Sequence, residues 1–378
     1  MRLATLALAA ALITLPAVAH ARPQWTAAEA NAWYARQPWP VGSNYIPKDA
    51  INQLEMWQQD TFDPKEIDWE LGLAEKTGMT TMRVFLQDQL WTQDSTGFTK
   101  RIDTFLSIAA KHHIKPVFVL FDSCWDAHPH LGKQPAPRPG LHNSGWVQSP
   151  GIDRLRNTND YPELEAYVKG VIGHFARDDR VLGWDVWNEP HEGGTDVIHN
   201  ADDGALVTRL LPQVFAWARS VDPTQPLTSG VFDGGDWSPA NEAKLTAIQR
   251  TQLEQLDILS FHSYSWPEEF EARINQMKAY GRPVFCTEYM ARGAGSTIDG
   301  SLPLGKAYRV AMYNWGFVDG KTQTRFPWDS YQHPYTDREP VVWFHDLFHA
   351  DGTPYRQREI DIIRTLTAPP QETAMPLQ

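Results

Sequence analysis

The sequence has little of what marks metal-binding or nucleic-acid-binding proteins. Its 378 residues include only two cysteines, Cys124 and Cys286, and there is no Cys/His cluster at zinc spacing and no DxDxDG loop. Acidic residues outnumber basic ones by 46 to 34, so the formal net charge is −12. Binding to a phosphate backbone requires basic patches. The composition therefore predicts no cofactor, no metal and no nucleic-acid partner.

Long apolar runs are also missing, except at the start of the chain. The run from Leu3 to Leu15 has signal-peptide length and is too short to span a bilayer. An arginine precedes it, and Pro16 and the small residues around Ala21 follow. The pattern predicts a signal peptide over residues 1–21 and export to the periplasm or medium; the alternative is an uncleaved membrane anchor. We expect a monomer without membrane contact after cleavage.

Strand-like and helical segments alternate along the rest of the chain. Eight short apolar runs are separated by stretches with helical spacing, such as Phe98 to His112 and Tyr161 to Phe175. Eight repeated βα units predict an α/β fold, a single (β/α)8 barrel over residues 22–366, with a disordered tail over 367–378. The alternative, an open doubly wound sheet, lacks its GxGxxG signature. The predicted strands are Val41–Tyr45, Thr80–Leu86, Lys115–Phe121, Val181–Trp187, Pro226–Phe232, Asp257–Tyr264, Pro283–Tyr289 and Val310–Trp315.

This strand order separates the two cysteines. Cys124 follows the third predicted strand, and Cys286 lies within the seventh. The two strands are nearly opposite each other in an eight-stranded barrel, and a disulfide bond requires Cα atoms within about 7 Å. We therefore expect no disulfide bond, although an exported protein with two cysteines would permit one.

Two connections between the predicted elements are long. Residues 122–160 contain five prolines, and residues 316–340 are rich in aromatic side chains. Both follow a strand, which places them on the catalytic face of a barrel, and long ordered loops are commonly functional. Proline limits backbone freedom, so we expect a rigid wall that closes one end of the binding groove. The alternative is that the first loop folds against the barrel side and leaves the groove open.

Two glutamates end different predicted strands. Glu189 ends the run WDVWNEP, because Pro190 cannot continue the hydrogen-bond ladder. Glu288 has the same place in the run PVFCTEY. Glycoside hydrolysis needs such a pair, since one carboxylic acid protonates the leaving oxygen while a carboxylate attacks or supports the anomeric carbon. The simpler alternative for each is an ion-paired glutamate at a strand end.

The order of these motifs resembles clan A of the retaining glycoside hydrolases, most of all the family 5 cellulases and mannanases. Trp187-Asn188-Glu189-Pro190 lies on the fourth predicted strand and Thr287-Glu288 on the seventh. The resemblance covers essentially the whole mature chain. It implies that Glu189 is the acid/base, that Glu288 is the nucleophile, and that a β-linked glycan is cleaved by double displacement with net retention.

Five further residues match positions of that family. The resemblance implies that Asn188 binds the sugar 2-hydroxyl and that Arg83 orients and ionises the nucleophile. It implies that Tyr264 donates to the nucleophile, that His262 lies near the acid/base, and that Trp315 forms the floor under the cleaved sugar. Each has a simpler alternative: Arg83 as a barrel ion pair, His262 as a core histidine, and the aromatic residues as packing.

One segment departs from the family pattern. Many family 5 members carry a histidine at the end of the third strand, where this chain reads Phe121-Asp122-Ser123-Cys124-Trp125. Asp122 is therefore a candidate contact of the cleaved sugar, and so is Trp125. Other candidates lie beside loop-like segments. These are Asp88, His142, Trp146, Trp237 and Trp266.

The sequence leaves alternatives for the function. The expected substrate is a carbohydrate, and β-glucan, β-mannan, xylan and shorter β-glycosides all fit the resemblance. A transglycosylase would use the same residues and exclude water. A non-catalytic glycan-binding barrel is expected to lack one of the two glutamates, and both Glu189 and Glu288 are present.

Overall fold

The computed structural model describes residues 21–191 and 204–369. The predicted signal peptide, apart from its last residue, lies outside these ranges, as does the predicted tail from residue 370 onward. Within the described ranges, no helix is both long and apolar enough to cross a bilayer. The last helix ends at Thr367, the first residue of the predicted tail.

Eight parallel strands form one sheet that curls into a barrel. They are β1 (Val41–Tyr45), β2 (Thr81–Phe85), β3 (Lys115–Asp122), β4 (Gly183–Asn188), β5 (Leu227–Thr228), β6 (Leu259–His262), β7 (Val284–Tyr289) and β8 (Ala311–Asn314). Their order in the sheet is β5-β4-β3-β2-β1-β8-β7-β6. A parallel bridge between Val231 and Phe261 joins the two remaining edges. The predicted (β/α)8 barrel is confirmed.

Helices pack between and around the strands. The described residues contain α1 (Ala27–Ala35), α2 (Gln53–Trp57), α3 (Pro64–Thr77), α4 (Asp88–Lys111), α5 (Ile152–Arg156), α6 (Tyr161–His174), α7 (Gly204–Ser220), α8 (Ala247–Gln255), α9 (Pro267–Lys278), α10 (Ile298–Tyr308) and α11 (Gln357–Thr367). α4 is longer than the predicted helix from Phe98, because it starts before a kink at Asp94. The predicted helix covers only the part after the kink.

The strands are buried on both faces. Except for Lys115 at the start of β3, every strand residue is buried. Helices cover the outside of a parallel sheet, which explains why these strands read as continuous apolar runs. Charged residues interrupt the pattern near the carboxyl ends of β3 and β7, at Asp122 and Glu288, and also at Arg83 in β2 and Asp185 in β4, which are fully buried. Their charges are compensated at the candidate site described below.

β5 is much shorter than predicted. Only Leu227 and Thr228 pair with β4, and the chain then passes close to β6. A Cβ atom at Gly230 would lie 2.9 Å from His262 Nε2, so glycine is required for this approach. The segment after β5 then pairs with β6, where Val231 forms a parallel bridge with Phe261.

The two long loops join over the mouth of the barrel. The β3 loop (residues 123–151) and the β8 loop (residues 315–356) exchange backbone hydrogen bonds, from Asn143 N–H to Thr322 O at 2.8 Å and from Tyr335 N–H to Gly140 O at 3.0 Å. Other contacts between the loops are His142 with Phe326 and Ser330, Gln323 with Arg138, and Trp125 stacked on Tyr331. These contacts link the two loops along much of their length, so the two loops form one body, here called the joined wall.

Candidate active site

The two glutamates face each other at the mouth of the barrel. Glu189 directly follows β4 and has a φ of 45°, a conformation uncommon in residues other than glycine. Glu288 lies in β7 and is 5% exposed. A carboxylate oxygen of each lies within 4.8 Å of the other. Retaining glycosidases hold their carboxyl groups about 5–5.5 Å apart and inverting ones about 6.5–9.5 Å apart, so this spacing favours retention.

Glu288 accepts hydrogen bonds from a guanidinium and a phenol. Arg83 Nη1 donates to Oε1 at 2.9 Å, and the Tyr264 hydroxyl donates to Oε2 at 2.7 Å. Burial raises the pKa of Glu288, while the neighbouring imidazole, guanidinium and phenol act in the opposite direction. These donors favour the ionised carboxylate, which is the form that a nucleophile requires.

Arg83 is the centre of a buried network. Its Nε and Nη2 donate to Asp185 Oδ2 at 3.0 and 2.8 Å. Its Nη1 also donates to Asn44 Oδ1 at 2.8 Å, and its Nη2 to Asn188 Oδ1 at 2.7 Å. The sequence predicted Arg83 and Asn188 as site residues but not Asn44 and Asp185. Asp185 has a signal, since it is a charged residue inside an apolar strand, whereas Asn44 follows another polar residue in β1.

Glu189 has different partners. His262 Nδ1 lies 2.7 Å from Oε1, and Cys124 Sγ donates to Oε2 at 3.2 Å. The same His262 nitrogen is 3.6 Å from Glu288 Oε2, so the imidazole lies between the two carboxylates. Burial, followed by the charge of Glu189, raises the pKa of the Cys124 thiol well above its usual range. As predicted, neither Cys124 nor Cys286 is in a disulfide bond.

Asp122 supports two other residues of the site. Its Oδ1 accepts from Asn188 Nδ2 at 2.9 Å, and its Oδ2 accepts from Trp146 Nε1 at 2.7 Å. Burial raises the pKa of Asp122 to about 6. Asp122, a predicted sugar contact, does not line the pocket and reaches the site through Asn188 and Trp146. Together with Arg83, it fixes both ends of the Asn188 amide.

A pocket at the mouth of the barrel contains the two glutamates. Both loops of the joined wall contribute to its mainly aromatic lining. The lining residues are Cys124, Trp125, His142, Asn143, Trp146, Asn188, Glu189, Tyr264, Glu288, Trp315, Trp328 and His345. Trp125, His142, Trp146 and Trp315 thus lie at the site where the sequence predicted them. Arg83 and His262 do not line the pocket, but Arg83 donates to Glu288 and His262 contacts Glu189, and both glutamates line it.

Besides Asp122, three other predicted sugar contacts do not line this pocket. Trp237 is 1% exposed and donates its indole N–H to a backbone carbonyl, so it is a core residue. Asp88 forms a buried ion pair with Arg154 at the start of α4. Trp266 is 64% exposed and lies outside the pocket lining. The sequence did not predict Cys124, Asn143 and His345 as lining residues, because they lie in loops without strand or helix periodicity.

The same cluster contains the described side chains that come closest to a metal-binding arrangement. Glu189, His262 and Glu288 offer ligand atoms within 4.8 Å of one another. These atoms already hydrogen bond to each other and to Arg83 and Tyr264. The charge of the carboxylates is therefore compensated by hydrogen bonds from protein side chains. This set of two carboxyl groups and an imidazole fits proton transfer.

The barrel and its site define a class of protein. Two carboxyl groups at this spacing, at the ends of β4 and β7, form the arrangement of a retaining glycosidase. The family described as Cellulase (glycosyl hydrolase family 5) matches residues 73–332. The chain therefore belongs to glycosyl hydrolase family 5, as the motifs predicted, and it is a glycosidase. A search of curated proteins finds no match.

Several solved structures share the fold. A GH5_18 enzyme from Streptomyces cattleya in complex with Manβ1-4GlcNAc has a TM-score of 0.60 at 12% identity, covering 88% of this chain and 81% of that chain. An exo-β-1,4-mannosidase from Opitutaceae bacterium strain TAV5 has a TM-score of 0.57 at 17% identity, covering 87% and 59%. The β-mannanase of the blue mussel Mytilus edulis has a TM-score of 0.55 at 13% identity, covering 88% and 92%. At these identities the likeness concerns the fold.

Proposed function

We propose that the protein is a retaining exo-β-glycosidase that removes single terminal sugars from β-linked oligosaccharides, with β-mannosides as its substrates. The observation that carries the exo mode is the joined wall, which lines the pocket that contains both glutamates. A pocket closed on one side accepts the end of a chain. Internal cleavage needs a groove that is open at both ends.

In the proposed mechanism the two glutamates have separate tasks. Glu288 attacks the anomeric carbon while Glu189 protonates the departing glycosidic oxygen, which gives a covalent glycosyl-enzyme intermediate. Glu189 then removes a proton from water, which attacks the same carbon and releases the sugar with net retention. Arg83 and Tyr264 hold the nucleophile in place and stabilise its charge. Asn188 is oriented to bind the 2-hydroxyl.

The position of the wall supports release from the non-reducing end. The β3 and β8 loops join across the part of the mouth formed by β3, β2, β1 and β8, which are neighbours in the sheet. On the side of Glu288, Tyr264 donates to the carboxylate and packs against Trp328 and His345 of the β8 loop. Because the acid protonates the leaving oxygen, the leaving group lies on the side of Glu189. The sugar that becomes attached to Glu288 then lies on the walled side.

The assignment to β-mannosides is supported by the similar structures. The Streptomyces cattleya enzyme was crystallised with Manβ1-4GlcNAc, and the Opitutaceae protein is an exo-β-1,4-mannosidase. β-Mannosides are therefore the first substrates to test against β-glucosides and β-xylosides.

Product analysis tests both parts of the proposal. Purified protein is incubated with β-1,4-mannooligosaccharides labelled at the reducing end, and with soluble mannan. We expect free mannose and labelled products that shorten by one sugar at a time, with reducing sugar rising well before viscosity falls. Early internal fragments with a steep viscosity loss would overturn the exo mode. Turnover of cello- or xylooligosaccharides without turnover of mannooligosaccharides would overturn the substrate. Glu288→Gln serves as the inactive control.

A further inference from the structure

Two buried histidines of the joined wall line the pocket, and the proposed mechanism leaves both unused. His142 belongs to the β3 loop and His345 to the β8 loop, and their ring centroids are 5.3 Å apart. His345 also packs edge-on against Tyr264, with ring centroids 5.7 Å apart. Tyr264 donates to the proposed nucleophile, Glu288. Tyr264 is therefore the one side chain between His345 and the reacting centre.

The hydrogen bonds of the two rings fix where each carries its proton. His142 Nδ1 lies 2.9 Å from Phe326 O, and His345 Nδ1 lies 2.6 Å from Met290 O. A carbonyl oxygen only accepts, so each Nδ1 must carry a hydrogen. In the neutral imidazole Nε2 is then a lone-pair acceptor. Both rings therefore present the same acceptor nitrogen.

The electrostatic surroundings keep both rings neutral. Burial lowers the pKa of His142 to about 4. Burial, and then the neighbouring His142, lowers the pKa of His345 well below its usual range. His345 is fully buried, and its Nε2 has no hydrogen-bond partner among the described residues. A buried acceptor without a donor is unfavourable, so a ligand that brings a donor is favoured at this place.

We propose that His345 and His142 form a pair of hydrogen-bond acceptors that binds hydroxyl groups of the terminal sugar at the closed end of the pocket. Sugar hydroxyls are neutral donors, which suits two neutral acceptors, whereas a carboxylate or phosphate would meet only lone pairs. The leaving group lies on the Glu189 side, so the wall faces the ring edge remote from the anomeric carbon, at C3, C4 or C6. Extension of a β-1,4-linked chain removes the hydroxyl at C4 and leaves those at C3 and C6. By binding the C4 hydroxyl, the pair would select free chain ends, an inference that rests on the proposed exo mode.

A double-mutant cycle between residue and hydroxyl tests the proposal. Aryl β-mannosides that lack the hydroxyl at C3, C4 or C6 are compared with the parent compound. In the wild type we expect at least one deoxy substrate to lose about tenfold or more in kcat/KM, within the roughly 10⁴-fold range of sites built to bind a hydroxyl. His345→Phe keeps an aromatic ring and removes the acceptor. It should lose activity on the parent substrate but show little further loss on that deoxy substrate.

Control variants separate this effect from loop damage. His349→Phe changes a histidine of the same loop that stacks on Trp343 outside the pocket lining, and it should show the full wild-type discrimination. His142→Phe tests the second acceptor and keeps the proposal testable if His345→Phe does not fold. Equal discrimination in wild type, His345→Phe and His142→Phe would overturn the proposal.

A spectroscopic measurement examines the acceptor directly. In histidine-¹⁵N-labelled Glu288→Gln protein, we expect His345 and His142 as neutral Nδ1–H tautomers, with an Nε2 resonance that shifts when mannobiose is added. An Nε2–H tautomer, or an unchanged resonance with sugar bound, would overturn the proposal. If the enzyme prefers another β-glycoside, the deoxy series and the added disaccharide are taken from that sugar. A failed mannoside assignment is thereby distinguished from a failed acceptor pair.

Discussion

The surroundings of the two glutamates differ in a way that matches two different tasks. Glu288 lies within β7, and a buried arginine and a tyrosine donate to it at 2.9 and 2.7 Å. Glu189 follows its strand in a left-handed conformation and contacts an imidazole at 2.7 Å and a thiol at 3.2 Å. Glu288 is therefore paired with a permanent cation, Arg83. Glu189 contacts a thiol, which is a weak donor, and an imidazole, which can exchange a proton.

This difference shows how one pocket can separate an anion from an acid. Burial of two nearby carboxyl groups raises the pKa of at least one of them, since both charges together are unfavourable. The guanidinium of Arg83 and the phenol of Tyr264 favour the ionised form of Glu288, which is the form that a nucleophile requires. An acid/base must instead hold a proton when the substrate binds. Variants of the two glutamates and of their partners test whether Glu288 and Glu189 differ in their ionisation and roles as the contacts indicate.

The largest effect is expected at Glu288, the carboxylate that is paired with Arg83. Glu288→Gln removes the attacking oxygen, so we expect turnover to fall roughly 10⁴- to 10⁶-fold, as when other enzymes lose their nucleophile. The loss should be similar for substrates with good and poor leaving groups. Steady-state kinetics with a series of aryl glycosides measures it, and an unchanged Tm serves as the folding control. Turnover within about tenfold of the wild type would show that Glu288 is not the nucleophile.

The loss at Glu189 should depend on the leaving group. For Glu189→Ala we expect about 10²- to 10⁴-fold lower kcat/KM on poor leaving groups and a much smaller loss on dinitrophenyl glycosides, which need little protonation. Azide should restore turnover and yield a β-glycosyl azide, because the vacated space faces the glycosyl-enzyme. The product is identified by NMR. An equal loss on all leaving groups without rescue would contradict the acid/base role.

The strand residues of this site were predictable, because strands place side chains by rule. Arg83, His262 and both glutamates lie in or directly after strands whose buried apolar runs are visible in the sequence. Their convergence follows from the barrel, which brings the carboxyl ends of all strands to one face. The shortness of β5 was not predictable, since it depends on the approach of Gly230 to a histidine of another strand.

The loop residues were not predictable to the same degree. His345 is placed by a bond to Met290 O, 55 residues away in sequence, and Cys124 by contacts with Asn188 and Glu189 at the end of β4. Such positions have no periodicity to indicate them. The aromatic content of both loops predicted that they are functional, but only the structure shows that they bond to each other.

A third prediction concerns the cation itself. Arg83→Met leaves Asp185 and Glu288 without their buried partner, and breaking such a pair costs about 3–5 kcal/mol of stability. The pKa of Glu288 should rise without the positive charge, so the nucleophile becomes protonated at a higher pH. The acid limb of kcat/KM therefore moves to higher pH. Urea unfolding and a pH profile measure the two effects.

Arg22→Met is a matched control for that variant. Arg22 pairs with the buried Asp257 just before β6, at the amino end of the barrel. Its removal should lower stability while the acid limb stays in place. An acid limb that moves equally in both variants, or in neither, would show that Arg83 does not set the ionisation of Glu288.

The smallest effect is expected at Cys124, whose thiol donates to Glu189. A donor to a carboxylate stabilises its ionised form, and the thiol is a weak donor. Cys124→Ala removes the donor, so the pKa of Glu189 should rise and the alkaline limb of kcat/KM should move to higher pH. Cys124→Ser supplies a stronger donor, so that limb should move to lower pH. A single hydrogen bond contributes about 0.5–1.5 kcal/mol, and one pKa unit corresponds to about 1.4 kcal/mol, so each shift should be about one unit or less.

The opposite signs distinguish this effect from simple damage to the pocket. Alanine and serine are both smaller than cysteine, so a packing defect would change both variants in the same direction. Dinitrophenyl glycosides provide the second control, because their glycosylation step needs no proton from Glu189 and its alkaline limb should not move. Shifts of the same sign in both variants, or equal shifts on dinitrophenyl and phenyl glycosides, would show that Cys124 does not act through Glu189. The thiol would then be a packing residue, and His262 would be the acid/base partner that matters.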